Sequence, residues 1–187
     1  MKILLTGGGS GGHILPIIAV VRQLRRLREE DIRFTYMGPK DRFAELLLQQ
    51  EGIEVKHIFA GKIRRYGGVS AIFQNILDVL FKVAIGIMQA FFLVFFLAPD
   101  VIFSKGGYGS ILPVFVGWLF RIPIVLHESD SIPGLSNKIS SWFAQRVFVS
   151  FPESAKFFPE KKVIVSGNPI RETLFQDAPG NPEYILG

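Results

Sequence analysis

The sequence predicts an α/β protein with a doubly wound parallel sheet of the Rossmann-like kind. Short apolar segments typical of strands alternate with amphipathic helical segments along most of the 187 residues. The connections between successive strands are too long for hairpins, so the strands should run parallel to one another. Two strands are followed directly by a glycine-rich turn and a helix, the usual arrangement at the ligand-binding edge of such a sheet.

The predicted strands are apolar or β-branched runs bounded by turn or charged residues: Lys2–Thr6, 33–37, 54–58, Val101–Ser104, 124–126, Arg146–Val149 and Val163–Val165. The predicted helices repeat their apolar positions with a helical period: 14–28, Arg42–Gln50, Val69–Leu97, a segment after Gly109, and 135–144. Pro16 is expected in the first turn of its helix, where a missing N–H is harmless. Gly52 is expected to end the second helix.

The chain is long enough for one sizeable core but short for two domains. Residues 1–165 are therefore predicted to form one domain. From Thr173 onward the sequence becomes rich in turn-forming residues, including DAPGNPE. We interpret residues 166–187 as an interdomain linker.

The composition favours an anionic partner. Hydrophobic residues make up 49% of the chain, the mean hydropathy is +0.34, and the formal net charge is +5. Some apolar surface is expected to face something other than water, and the charge suits phosphate esters or anionic lipid. Nucleic acid is disfavoured because no arginine-rich run or RNA-binding signature is present. Since the sequence has no cysteine, disulfides and thiolate metal sites are excluded.

The first sixteen residues, MKILLTGGGSGGHILP, place a glycine turn between a strand and a helix that starts at about His13. Backbone N–H groups and the helix dipole at such a turn suit a phosphate. A second turn, KGGYGS, follows the strand Val101–Ser104, and HESD at 127–130 follows the strand 124–126. Because the carboxyl ends of parallel strands share one edge, these three segments are expected to converge there.

Gly7, Gly9 and Gly12 also satisfy the GxGxxG pattern of dinucleotide-binding folds. That fingerprint requires an acidic residue at the end of the second strand to bind the ribose, and this strand ends with Tyr36 and Met37. The sequence therefore argues against a dinucleotide-dependent oxidoreductase.

The long apolar helix has three interpretations. Residues 83–99 carry no charge, a length just below the ~20 residues that span a bilayer. The helix could be buried in the core, lie in a lipid interface, or cross the membrane; the last is disfavoured because the neighbouring strands need it packed on their sheet. The interfacial interpretation assigns membrane association to an apolar set, Ile72, Phe73, Phe92 and Phe95, and to a basic set just upstream, Lys62, Arg64 and Arg65.

Four motifs in this order and spacing, GGGSGGHILP, SKGGYGS, LHESDSIPGLSNK and SGNPIR, resemble the N-terminal half of the bacterial peptidoglycan enzymes of glycosyltransferase family 28. The resemblance implies a GT-B fold, in which an acceptor-binding N-terminal domain faces a C-terminal domain that binds the UDP-sugar. Such enzymes transfer N-acetylglucosamine from UDP-N-acetylglucosamine to lipid I, which is undecaprenyl-pyrophosphoryl-N-acetylmuramoyl pentapeptide. The transfer inverts the sugar linkage and forms lipid II.

The resemblance also implies roles for individual residues. The acceptor pyrophosphate is assigned to Gly8, Gly9, Ser10, Gly11, Gly12, Gly106, Gly107 and Tyr108. His13 is implied to take the proton from the attacking hydroxyl, at a helix N-terminus that should lower its pKa, with His127 and Glu128 as further catalytic residues. The donor is assigned to Ser10, Gly11, Asp130 and Arg171. No metal and no cofactor is implied.

Ser129 and Asp130 depart from the family pattern, which usually has Gln-Asn after the His-Glu pair. A carboxylate in place of an amide is expected to change contacts with the sugar or to weaken donor binding.

The implied partners are lipid I and an anionic membrane surface, with the protein peripheral at the cytoplasmic face of the bacterial inner membrane. UDP-N-acetylglucosamine is expected to need a C-terminal donor domain beyond this sequence, in the same polypeptide or in a partner chain, so the chain alone is expected to be inactive. The alternative is a non-catalytic membrane-docking or lipid-binding subunit that pairs with a separate donor-binding chain.

Overall fold

The computed structural model describes residues 1–8, 10–27, 31–61 and 69–169, with only the backbone of 69–79. Several predicted positions lie outside the described residues: Gly9, Lys62, Arg64, Arg65 and Arg171, the side chains of Ile72 and Phe73, and residues 170–187 of the expected linker.

The described residues form a seven-stranded sheet in which every strand pair is parallel. The strands are β1 (Lys2–Thr6), β2 (Arg33–Gly38), β3 (Glu54–His57), β4 (Val101–Ser104), β5 (Ile124–Glu128), β6 (Arg146–Val149) and β7 (Val163–Val165). Their order in the sheet is β3-β2-β1-β4-β5-β6-β7. This arrangement confirms the predicted doubly wound fold.

The helices follow the strands as crossover connections. They are α1 (Gly11–Leu27), α2 (Arg42–Gln50), α3 (Val69–Leu97), α4 (Ile111–Leu119), α5 (Leu135–Phe143) and the short α6 (Pro152–Ala155). Two short 3₁₀ turns, Tyr108–Ser110 and Glu160–Lys162, precede α4 and β7. Asp41 caps α2, since its carboxylate accepts a hydrogen bond of 2.9 Å from the backbone N–H of Ala44.

Two apolar clusters cover the two faces of the sheet. Leu4 belongs to the cluster formed with α3 and α4, and Leu5 belongs to the cluster formed with α1 and α2. Successive residues of a strand point to opposite faces, so a continuous apolar run such as that of β1 serves both clusters.

β1 is an interior strand beside the central strand β4, and its last residue lies in register with both of its neighbours. Thr6 pairs with Met37 of β2 on one side and with Ser104 of β4 on the other. From β1 the chain continues to β2 and β3 on one side of the sheet. From β4 it continues to β5, β6 and β7 on the other side. The carboxyl ends of β1 and β4 therefore form the topological switch point, where such sheets bind ligands.

The long helix α3 packs along one stripe and exposes the other. Gly86, Ala90 and Val94, which follow one another at helical spacing, are buried. The exposed large side chains are Leu80, Phe81, Ile85, Met88, Phe91, Phe92, Phe95 and Phe96. Leu80–Leu97 has a mean hydropathy of 2.2 and is long and apolar enough to cross a membrane, by length and composition only. The helix thus belongs to the core on one side and presents an uncovered apolar face on the other.

The observed boundaries correct five predictions. β2 continues one residue further than predicted, to Gly38, and α5 ends at Phe143, one residue earlier than predicted. α1 begins at Gly11 rather than near His13, which moves Pro16 from the first turn to the second. β3 ends at His57, one residue earlier than predicted. β5 continues beyond 126 to Glu128, because its parallel pairing with β6 extends to that residue. His127 and Glu128 therefore belong to the strand rather than to the turn after it.

Replacing Gly86 by alanine should lower the free energy of unfolding. An added Cβ atom would overlap the carbonyl oxygen of Phe59 and lie 2.7 Å from the side chain of Leu112. Such overpacking typically costs about 1–3 kcal/mol, which urea unfolding would measure. Gly134→Ala is the matched control, since its Cβ would meet no atom within 4 Å. Equal stabilities of the two variants would contradict the close packing of α3.

Candidate active site

The two glycine turns meet where β1 and β4 end side by side. Gly106 and Gly107 have φ angles of 86° and 87°, in the left-handed region that favours glycine. A Cβ atom on Gly107 would lie 2.8 Å from the backbone nitrogen of Gly8, and one on Gly106 would overlap the side-chain amide of Asn137. Glycine therefore allows the two turns to pack backbone against backbone.

Tyr36 of β2 holds the carbonyl groups of the first turn. Its hydroxyl donates to the carbonyl oxygens of Gly7 and Gly8, at 3.0 and 3.3 Å. Burial, with a smaller contribution from the charge of Asp41, raises the pKa of Tyr36, so the phenol stays protonated and keeps donating. At the start of α1, the N–H groups of His13 and Ile14 donate to the carbonyl oxygen of Ser10, at 3.0 and 3.3 Å. The N–H groups of Gly11 and Gly12 precede any acceptor within the helix and can bind an anion.

His13 lies between the two turns. A Cβ atom on Gly8 would be 3.0 Å from His13 Nδ1, and one on Gly107 would be 3.1 Å from Nε2. The ring is fixed by the Ser10 hydroxyl, whose Oγ is 2.8 Å from Nδ1. Burial is the largest influence on the pKa of His13 and lowers it, and the positive charge of Lys105 lowers it further. The imidazole is therefore neutral at pH 7 and can accept a proton.

Glu128 and His127 have different surroundings, as expected of consecutive residues in a strand. Glu128 lines a cleft with His13, whereas His127 lines a separate pocket formed with β4, β6 and the segment after β7. His127 Nε2 is 3.1 Å from the carbonyl oxygen of Gly167. Burial, followed by the charge of Lys105, lowers the pKa of His127 to about 4, so the neutral ring donates to that carbonyl. Of these two predicted catalytic residues, only Glu128 lies in the cleft with His13.

Both carboxylate oxygens of Glu128 accept hydrogen bonds from the residues that follow β5 in the chain. Oε1 is 2.9 Å from the backbone nitrogen of Asp130, and Oε2 is 2.7 Å from Nδ2 of Asn137. Glu128 is 3% exposed. These contacts make Glu128 a residue that holds the turn after β5 and the start of α5 in place. Within the described residues it orients neither His13 nor His127.

Lys105 and Asn137 are site residues that sequence reasoning missed. Lys105 follows β4 directly and is 3% exposed, and its ammonium group donates to the hydroxyl of Ser129. Burial lowers the pKa of Lys105 to about 8, against the opposing influence of Glu128 and Asp130. Lys105 is part of the second glycine motif, so the sequence could have indicated that it belongs to the site. The burial of Asn137 behind Gly106 had no such signal, because it depends on how α5 packs.

The cleft at this edge has a volume of about 210 Å³ and includes His13, Lys105, Gly107, Glu128, Asp130 and Asn137 in its lining. It brings together predicted residues from all three strand ends. Gly12 also lines it, while Ser10 takes part through its hydrogen bond to His13. Tyr108 lies in the 3₁₀ turn outside this lining, and burial raises its pKa. Phe92 and Phe95 lie apart from the cleft, on the exposed face of α3.

The geometry supports anion binding and proton transfer. Glycine turns and a helix N-terminus bind phosphate through backbone N–H groups, and a neutral imidazole beside them can take a proton from a ligand hydroxyl. In the described part of the chain, no group of three or more His, Cys, Asp or Glu side chains could hold a metal ion. The fold and cleft together define an α/β domain whose switch point is suited to a phosphorylated ligand.

Comparison with known proteins identifies the family. Residues 3–149 match the glycosyltransferase family 28 N-terminal domain. The chain is 43% identical over 185 residues to the UDP-N-acetylglucosamine--N-acetylmuramyl-(pentapeptide) pyrophosphoryl-undecaprenol N-acetylglucosamine transferase 2 of Bacillus cereus, covering 99% of this chain and 49% of that protein. The chain therefore belongs to glycosyltransferase family 28. It spans about half the length of the curated relatives it matches.

Solved structures share the fold at lower sequence identity. MurG of Acinetobacter baumannii superimposes with a TM-score of 0.71 at 23% identity, over 91% of this chain and 46% of that one. A UDP-GlcNAc 2-epimerase from Neisseria meningitidis gives 0.64 at 15% identity, over 94% of this chain and 49% of that one. In both cases the match covers about half of the solved chain.

The burial of His127 predicts a pH dependence of stability. Its pKa is about 4 in the folded protein and 6.5 when unperturbed, so the unfolded chain binds more protons between these values. The free energy of unfolding should therefore fall as the pH is lowered from about 6.5 towards 4. His127→Gln, which keeps a donor for the Gly167 carbonyl but does not titrate, should lose this part of the dependence in urea unfolding at several pH values. If the free energies of unfolding of the wild type and of His127→Gln change with pH in parallel, the prediction is wrong.

Proposed function

We propose that this chain is the acceptor-binding domain of an inverting glycosyltransferase that transfers N-acetylglucosamine from UDP-N-acetylglucosamine to lipid I. The observation that carries the proposal is the convergence of two glycine turns on a neutral histidine at the switch point. Membership of family 28 and the activity for which the Bacillus cereus relative is named agree with it. The product would be lipid II of peptidoglycan synthesis.

The glycine turns are suited to the diphosphate of the acceptor. Backbone N–H groups from Gly11 and Gly12 can donate to phosphate oxygens, and the dipole of the seventeen-residue helix α1 favours negative charge there. Side chains at Gly8 and Gly107 would block the approach of a diphosphate to the turns, because these two glycines already pack closely against each other.

His13 is the residue suited to activate the acceptor hydroxyl. In an inverting displacement, the hydroxyl oxygen of the muramoyl sugar attacks the anomeric carbon of N-acetylglucosamine while the bond from that carbon to UDP breaks. UDP leaves with the electron pair, and the hydroxyl proton passes to the imidazole. Because the pKa of His13 is lowered, the ring is ready to accept that proton at neutral pH. The Ser10 hydroxyl keeps the ring in its orientation.

UDP-N-acetylglucosamine would bind between this domain and a donor-binding domain, supplied in the same polypeptide or by a partner chain. The matched relative is about twice as long as this chain, which agrees with a donor-binding part outside the sequence. On this side of the cleft, Ser10, Gly11 and Asp130 would contact the donor. Asp130 is exposed at the rim of the cleft, where a carboxylate can accept hydrogen bonds from sugar hydroxyls.

The exposed apolar face of the α3–α4 layer would place the protein on the cytoplasmic surface of the bacterial inner membrane. The rings of Phe91 and Phe95 on α3 lie 5.0 and 6.2 Å from that of Phe120, at the end of α4. Trp118 and Trp142 continue this surface on α4 and α5, at 48% and 72% exposed. Aromatic side chains of this kind favour the boundary between headgroups and acyl chains, and the net charge of +5 suits anionic lipid.

The His13→Ala variant tests the proposed chemistry. Assayed with its donor-binding domain, in cis or in trans, it should lose transfer to a short-chain lipid I analogue by about 10²- to 10⁴-fold, the range for a lost general base. Binding of that analogue, measured by calorimetry, should remain. In the wild type, the rate should rise with pH through a pKa below 6.5 and then level off.

His57→Ala is the matched control, since His57 lies on β3 beside Glu45 and outside the cleft. It should keep the wild-type rate. Equal rates for His13→Ala and the wild type would remove His13 from the mechanism. Failure of the folded wild-type chain to bind the analogue would refute the acceptor assignment itself.

Phe92→Ser combined with Phe95→Ser tests the membrane assignment. These side chains are 54% and 57% exposed, so their loss should leave the fold intact, as circular dichroism would verify. Burying a phenylalanine contributes about 1.5–3 kcal/mol, so the double variant should bind phosphatidylglycerol-containing vesicles at least about tenfold more weakly. Phe43→Ser on α2, 57% exposed on the other side of the sheet, should bind like the wild type. Unchanged vesicle binding, or unfolding of the double variant, would show that this face does not contact lipid.

A further inference from the structure

Lys105 is a buried cation at the centre of the switch point. It is the first residue after β4, and its backbone N–H donates to the carbonyl of Thr6 in β1 at 2.9 Å. Its neighbours Gly106 and Gly107 form the second glycine turn, and its side chain lines the same cleft as His13. We propose that Lys105 binds the diphosphate of the ligand in this cleft and that this is the diphosphate of the acceptor. The inference rests on the proposed function.

The protein itself neutralises this charge only in part. Among the described residues, the Lys105 ammonium makes one hydrogen bond, to the Ser129 hydroxyl. It takes part in none of the ion pairs between these residues. An ammonium group has three N–H donors, so two remain for a ligand. Glu128, the nearby buried carboxylate, already uses both oxygens on Asp130 and Asn137.

A lysine that is 3% exposed and lacks a paired carboxylate is unfavourable in the free protein. An anion that enters the cleft would stabilise it by supplying the missing counter-charge. The glycine turns contribute backbone dipoles but no full charge. Lys105 adds a positive charge beside them. Ser129 holds the ammonium in place, since its own hydroxyl proton is directed to Oδ1 of Asn168 at 3.0 Å.

A diphosphate can come from two sources, the lipid acceptor or the nucleotide sugar. Asp130 at the cleft rim repels a phosphate and suits sugar hydroxyls, whereas Lys105 lies next to the glycine turns. The acceptor is favoured because the anion-binding turns and Lys105 all belong to this chain.

Lys105→Met, a replacement of similar length without charge, tests the inference by calorimetry. A water-soluble, short-chain lipid I analogue should bind about 10- to 100-fold more weakly, the loss expected for a hydrogen-bonded charge. The difference should shrink at high ionic strength, because salt screens the charge. Lys138→Met is the matched control, since Lys138 lies on α5 with its ammonium 4.9 Å from the ring centre of Phe157; it should bind the analogue like the wild type.

A second measurement separates charge recognition from a merely structural role. The positive charge of Lys105 lowers the pKa of His13, so Lys105→Met should raise the pKa of the His13 imidazole in an NMR titration. In the wild type, the pKa of the Lys105 ammonium, about 8 in the free chain, should rise when the analogue binds. The titration of Lys105 in the wild type needs no variant, so it tests the inference even if Lys105→Met does not fold.

The outcomes distinguish the two proposals. If the wild type binds the analogue and Lys105→Met binds it equally well, Lys105 does not contact the diphosphate although the acceptor assignment stands. If Lys105→Met weakens binding of UDP-N-acetylglucosamine but not of the analogue, the diphosphate at Lys105 belongs to the donor, and the inference is overturned. If the folded wild type binds no analogue, both proposals fail.

Discussion

The site depends on the direct backbone contact between two glycine turns at the centre of the sheet. Gly8 and Gly107 approach so closely that a Cβ atom would not fit between them, and Gly106 leaves room for Asn137. Three further contacts follow from this approach: His13 is held between the turns, Tyr36 binds the carbonyls of the first turn, and Glu128 reaches Asn137. A side chain at Gly107 would collide with the backbone of Gly8, so the two turns could not keep this contact.

Two surfaces of opposite character result from the same topology. The switch-point edge carries backbone donors, a buried ammonium and a neutral imidazole, and therefore suits a charged, hydroxylated ligand. The outer side of α3 and α4 carries aromatic side chains with few charges. A lipid-linked sugar diphosphate combines both chemistries in one molecule, so one domain that offers both surfaces fits such a substrate. Lys105 connects the second glycine turn to the turn after β5, and Glu128 holds that turn in place, so the turn forms one wall of the cleft.

Much of this architecture could be predicted from the sequence because it depends on local patterns. The apolar runs located every strand, and the glycine turns predicted the ligand-binding edge. The orientation of His127 could not be predicted, because β5 extends two residues further than its apolar run and alternation then places His127 in a different pocket from Glu128. The glycine motif indicated the position of Lys105, but its burial could not be predicted, because it depends on tertiary contacts such as the one with Ser129. The start of α1 at Gly11 shows that position in the turn, not helix propensity, decides where that helix begins.

In the proposed function, the two glycine turns bind the acceptor diphosphate. The most direct measurement is the backbone amide NMR spectrum of this chain as a short-chain lipid I analogue is added. The account predicts saturable shifts of the amides of Gly12, Gly106 and Gly107, with those of Gly52 and Gly117, which lie outside the cleft, unchanged. Shifts confined to residues away from the turns, or none at saturating concentrations, would contradict it.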